Sequence, residues 1–150
     1  MDALLIRLIT ALLGTVGFCL LFRVGRRNIL WAALGGLFTY LIYELSVILG
    51  QSVLIAAFFA SLFMSLYSEI MARILRSPAL VFLLPSAIPI VPGGSLYYTL
   101  YNLLNYREDA FRSHAKSTLM VALGIAVGMS VSSNLIGIIR QIRTGIEKKP

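Results

Sequence analysis

The chain has 150 residues, 59% of them hydrophobic and only 13% charged, with a formal net charge of +7. Soluble domains run at roughly 45–50% apolar and 25% charged. A water-soluble globule of this size is therefore excluded, because its interior is too small to hide so much apolar surface.

The first apolar block, 3–22, carries one charge, Arg7. Blocks of this length match the roughly 20 residues that cross about 30 Å of hydrocarbon. Met1-Asp2-Ala3 lacks the basic start of a cleaved signal peptide, so the block is expected to be a retained span. The lone cysteine, Cys19, falls in it and has no partner for an intramolecular disulfide. It reads as a small buried hydrophobe. A short basic loop, Arg23–Asn28, follows. The second span is expected at 29–49, with Glu44 as its one carboxylate. Gly50-Gln51-Ser52 makes a tight turn into a third span, 53–72, which holds Glu69. Arg73–Ser77 is again basic.

The fourth block, 78–96, is interrupted by Pro85, Pro89, Pro92 and Gly93-Gly94. Each proline removes a backbone donor and clashes with the preceding turn. This block is expected to be a broken helix. A polar stretch, Tyr97–Lys116, separates it from a fifth span, 117–139, and a basic tail, 140–150, ends the chain.

Orientation follows from the basic residues. An external N-terminus places Arg23, Arg26, Arg27, Arg73, Arg76, Arg140, Arg143, Lys148 and Lys149 inside. Five crossings, N-out and C-in, satisfy this bias. A four-span rival makes 78–96 re-entrant and leaves the basic tail outside. Basic residues gathered at span ends, with no basic face interleaved with aromatics, argue against nucleic acid. The expected fold class is thus an all-α integral membrane protein in a single transmembrane domain, with the lipid bilayer as its surroundings.

Freed backbone groups in lipid need protein or a water-filled cavity, and broken helices at mid-membrane are the usual binding sites of secondary transporters. Pro85, Ser86, Pro89, Pro92, Gly93 and Gly94 are therefore candidates for a substrate pathway; the bland alternative is a kinked span without a ligand. Downstream, Tyr97, Tyr101 and Asn105 recur at i, i+4, i+8. They read as an interfacial anchor or as the lining of an outer mouth, with Asn102 beside them. Buried carboxylates are costly in lipid, so Glu44 and Glu69 are candidates for coupling. Arg73 stands at i+4 from Glu69, and Arg7 is within reach of Glu44 if spans one and two pack antiparallel. Gly124 and Gly128 form a GxxxG, a helix-packing signature. Gly14, Gly17 and Gly35-Gly36 receive the same reading.

One histidine, His114, and one cysteine do not make an ordinary zinc site. GxSxG and P-loop motifs are missing. No enzyme activity, metal or cofactor is expected, and any transport is secondary or driven by another chain.

The segment Pro85–Asn102, with Val91-Pro92-Gly93-Gly94-Ser95-Leu96-Tyr97 and then Tyr101, resembles the membrane domain of the threonine/serine exporter family. Length and layout are similar to its stand-alone small subunit. The resemblance implies export of small polar metabolites, either threonine and serine or dicarboxylates such as succinate. It implies a larger multispan partner chain, with a higher oligomer also open, and residence in a bacterial inner membrane. An odd number of spans would let two halves insert as inverted repeats. A non-transporting assembly subunit and a self-sufficient homo-oligomeric channel or transporter are the competing readings.

Overall fold

The structure, a computed structural model, describes residues 2–147. Helices make up 88% of the described residues, and no strand occurs among them. Lipid leaves two solutions for backbone polar groups, the closed barrel and the helix, and this chain takes the second. The elements are α1 (Asp2–Leu21), α2 (Arg26–Ile48), α3 (Val53–Leu75), α4 (Leu80–Ala87), a 3-10 turn (Ile88–Ile90), α5 (Gly93–Leu104) and α6 (Glu108–Glu147). Helices α1, α2, α3 and α6 are each long and apolar enough to cross a membrane. The pair Leu80–Ile90 and Gly93–Leu104, bent by 51°, makes a fifth crossing if taken as one span. The chain is a multispan helical membrane protein with a broken fourth segment.

Four helix ends close in the same way. One or two residues past each helix the backbone turns left-handed, at Arg23, Gly50, Arg76 and Tyr106, with φ between 50° and 80°. The next N–H then bonds five residues back, as in Val24 to Cys19, Gln51 to Ser46, Ser77 to Ala72 and Arg107 to Asn102. This is the Schellman closure. Two of the four are arginines, whose charge suits the negative end of a helix dipole.

Two boundaries differ from expectation. The unit expected to end near 96 continues as α5 to Leu104, and the last helix begins at Glu108 rather than 117. Acidic Glu108 and Asp109 open its first turn, where the dipole favours negative charge. Arg112 sits 3.6 Å from Glu108 one turn on. Neither glycine nor proline occurs between 95 and 123 to stop it. At 40 residues, α6 is about 60 Å long, twice the hydrocarbon thickness. The region read as a basic tail continues this helix to Glu147. Lys148, Lys149, Pro150 and Met1 lie outside the described residues.

The interior is built from small side chains. Ala32, Ala33, Ala56, Ala57, Ala60, Thr15, Thr39, Ser61, Ser68 and Ser86 are buried, while most leucines and isoleucines face outward. That is the membrane pattern, in which small residues allow close helix approach and large apolar ones face lipid. Helix α6 lies along α3, and α4 nests against α2 and α3. A Cβ on Gly124 would meet the Leu54 carbonyl and the Ala57 Cβ; one on Gly128 would meet Ser61 Oγ and the Phe58 carbonyl. Ser61 Oγ also donates to the Gly124 carbonyl at 3.3 Å. The GxxxG is therefore consumed inside the chain. Gly35 faces Ser86 and Tyr67, and Gly36 faces Thr15, so this pair lets α1, α3 and α4 all close on α2. Gly14 and Gly17 depart from the expected packing role: both are exposed, and a Cβ on either meets nothing within 4 Å.

Candidate substrate-pathway site

The break is written in its three prolines. Pro85 stands inside α4 and Pro89 in the 3-10 turn. Neither supplies an N–H, so the α-helical ladder fails here. Val91 is extended at φ −63°, ψ 127°, as the residue before a proline prefers. Pro92 then caps α5, whose first α-helical bond runs from Leu96 N–H to the Pro92 carbonyl. The N–H groups of Gly94 and Ser95 belong to the first turn, where helix geometry provides no intrahelical acceptor. Gly93 and Gly94 are exposed, and a Cβ on either meets nothing within 4 Å.

The candidate residues divide into three groups. Pro85 and Ser86 are buried, and Ser86 Oγ donates to the Ala32 carbonyl at 3.3 Å. They fasten α4 to α2 over Gly35. Pro89 instead lines a groove of about 230 Å³ between α1, α2 and the 3-10 turn, with Arg7, Thr10, Gly14 and Tyr40. Pro92, Gly93, Gly94, Tyr97 and Tyr101 form the outer face of the break and α5. Tyr97 and Tyr101 stack with ring centroids 6.3 Å apart, and Asn105 Nδ2 donates to the Tyr101 carbonyl at 2.8 Å. Asn102 is buried on the other side of α5, its Nδ2 donating to the Tyr98 carbonyl at 2.7 Å. Tyr98 in turn stacks on His114 of α6.

The two carboxylates lie toward opposite ends of the bundle, since each is near the C-terminal end of its helix and α2 and α3 are consecutive, joined by a short turn. Glu44 is 7% exposed. Arg7 Nη1 donates to its two oxygens at 3.0 and 3.4 Å, and Tyr40 Oη donates at 2.6 Å. The antiparallel packing of α1 and α2 thus brings Arg7 to Glu44. Tyr40, four residues before Glu44, was legible as a same-face neighbour from helical spacing alone. Glu69 accepts from Arg73 at 3.2 Å and borders a groove of about 310 Å³ with Ser65, Ser68, Met129 and Ser133. Ser65 and Ser68 were not singled out by sequence reasoning; hydroxyls in spans usually bond their own helix, and only the meeting of α3 with α6 gathers them with Ser133.

Hydrogen bonds to a charged group contribute about 1.5–3 kcal/mol. Tyr40→Phe is therefore expected to lower stability by about 2 kcal/mol. Cys19, the sole and fully buried thiol, supplies the readout: a thiol-reactive fluorogenic dye reports unfolding in detergent. An unchanged midpoint would mean that the phenol does not serve the carboxylate.

These features define a class: a small helical membrane protein of the transporter kind, with a broken segment flanked by buried polar groups. The chain matches the family model for threonine/serine exporters, ThrE, over residues 7–135. It belongs to that family. No curated protein and no solved structure matches it.

Proposed function

We propose that this chain is the small half of a two-component secondary exporter of small polar metabolites, threonine-like amino acids or dicarboxylates, residing N-out and C-in in a bacterial inner membrane. Family membership supports the exporter class. The observation that carries the mechanism is the 51° break at Val91-Pro92. It exposes helix-end N–H groups beside apolar spans, the arrangement that alternating access uses around a fixed site. Glu44 and Glu69, set toward opposite ends, are the coupling candidates. A larger partner half is supported by α5, which packs chiefly on α6 and leaves Tyr97, Leu100, Tyr101 and Leu104 exposed. Because α3 already occupies the GxxxG, a scaffold that recruits its partner through Gly124 and Gly128 is disfavoured.

The test is a mild-detergent capture of the tagged chain from its native membrane, followed by flux assays in vesicles. A stoichiometric larger multispan protein, and efflux that requires both chains, is the expected result. Efflux from the partner alone would return this chain to an assembly role. Efflux from this chain alone would make it a homo-oligomeric transporter.

A further inference from the structure

We propose that Arg7 receives the carboxylate of the transported metabolite, held in position by Glu44 and Tyr40. The inference rests on the transport reading above and gives it a ligand-binding residue. Arg7 lies within the apolar window Leu4–Leu21 of α1, where a lone cation is costly. Its counter-ion Glu44 is buried and well satisfied, with both oxygens reached by Arg7 Nη1 and one also bonded by the Tyr40 phenol. The guanidinium is not. Arginine carries five N–H donors in a planar fork, and among the described side chains Arg7 gives only Nη1, to Glu44. Its side chain is 61% exposed, against 9% for Glu44.

Arg7 itself lines the groove of about 230 Å³, together with Thr10, Gly14, Tyr40 and Pro89. At roughly 30 Å³ per water in the liquid, the space suits one small metabolite. An arginine fork matches a carboxylate in two-point geometry. Thr10 Oγ1 already donates to the Ile6 carbonyl at 2.8 Å, which leaves its lone pairs to accept from an ammonium or hydroxyl. Glu44 and Tyr40 fix the guanidinium before the ligand arrives, and such support is what keeps a binding group in productive geometry. Gly14 leaves one wall of the groove open, since a Cβ there meets nothing within 4 Å. The groove also touches the 3-10 turn of the broken segment through Ile88 and Pro89, so an occupant contacts the element that would move.

The shared ligand chemistry is a carboxylate, which threonine and succinate both carry. The experiment uses the native host with its own copy deleted and the full-length chain restored. Cells are loaded with labelled threonine, succinate or threoninamide, which keeps the ammonium and hydroxyl and lacks the carboxylate. Efflux of threonine or succinate, but not threoninamide, is expected from wild type, and the productive arm identifies the source. Arg7→Lys keeps the charge and loses the fork; it is expected to raise the half-saturating concentration about tenfold with the maximal rate little changed. The charge swap Arg7→Glu with Glu44→Arg preserves an ion pair. It is expected to insert with Cys19 still shielded, yet to export at less than about a tenth of the wild-type rate. Wild-type export from the swap would make the pair structural and overturn the assignment. Should the swap be degraded, Gly14→Leu decides: its Cβ meets nothing within 4 Å while the rest of the side chain takes up groove space, and unimpaired export from it overturns the proposal. Threoninamide leaving as fast as threonine would overturn the carboxylate assignment and spare the transport reading. No efflux of any probe from wild type would overturn both.

Discussion

Gly128→Leu is expected to abolish the folded protein, with no membrane-inserted, dye-protected species recovered in detergent. A Cβ on Gly128 would stand 2.6 Å from the Phe58 carbonyl oxygen and 3.1 Å from the Leu62 nitrogen, besides meeting Ser61 Oγ. Two of these three neighbours are backbone of α3, which cannot rotate out of the way. Overpacking a rigid contact costs typically about 1–3 kcal/mol for added methylenes; here a whole isobutyl group must separate two helices whose contact is the most extensive in the fold. The helices would have to part along their shared length, exposing Ser61 and Ser68, both buried now. Removing the side-chain obstacle with Ser61→Gly is not expected to rescue the variant, because the Phe58 and Leu62 backbone atoms remain. Gly17→Leu is the matched control: a Cβ there meets nothing within 4 Å, so midpoint and yield should hold. If Gly128→Leu and Gly17→Leu behave alike in the Cys19 dye assay, the α3–α6 contact is not as described.

The contrast between these glycines shows what the sequence could and could not reveal. Hydropathy located α1, α2 and α3 to within a few residues because each apolar block ends at arginine or glycine, where charge or a turn stops it. The three prolines located the break for the same local reason. Glycines at packing spacing looked alike in the sequence, yet Gly35, Gly36, Gly124 and Gly128 are crossed by other helices whereas Gly14 and Gly17 are not. Whether a small residue is used depends on a partner surface far away in the chain. The α5–α6 hairpin was missed because Arg107, Glu108, Asp109 and Arg112 look like a loop when polarity is read as the end of a span. As helix chemistry they are favourable: acids in the first turn and an i,i+4 pair. The turn itself, left-handed at Tyr106 with φ 54°, carries no glycine to announce it. At the site, Arg7 and Glu44 were joined correctly by topology. By contrast, the burial of Pro85 and Ser86 against α2 was not legible, because it depends on tertiary contacts.

Gly94→Leu is expected to leave the protein folded and inserted while cutting efflux to less than about a tenth, a loss of roughly 1.4 kcal/mol or more in the transport barrier. The two halves of this prediction have separate causes. Folding is spared because a Cβ on Gly94 meets nothing within 4 Å and because leucine is a better helix former than glycine by up to about 1 kcal/mol. Transport is lost because the side chain would cover the first-turn N–H groups of α5 and stiffen the junction that follows Val91-Pro92. Those N–H groups are the positive end of a helix dipole, and an anionic group approaching them is stabilised. Both variants replace a glycine by leucine in the same chain, so the pair separates packing from pathway: Gly128→Leu should remove the protein, and Gly94→Leu should remove only its flux. Wild-type efflux from a well-inserted Gly94→Leu chain would make the break a kink that shapes the bundle. The pathway would then have to run through the Arg7 groove or the Glu69 groove instead, without help from the exposed end of α5.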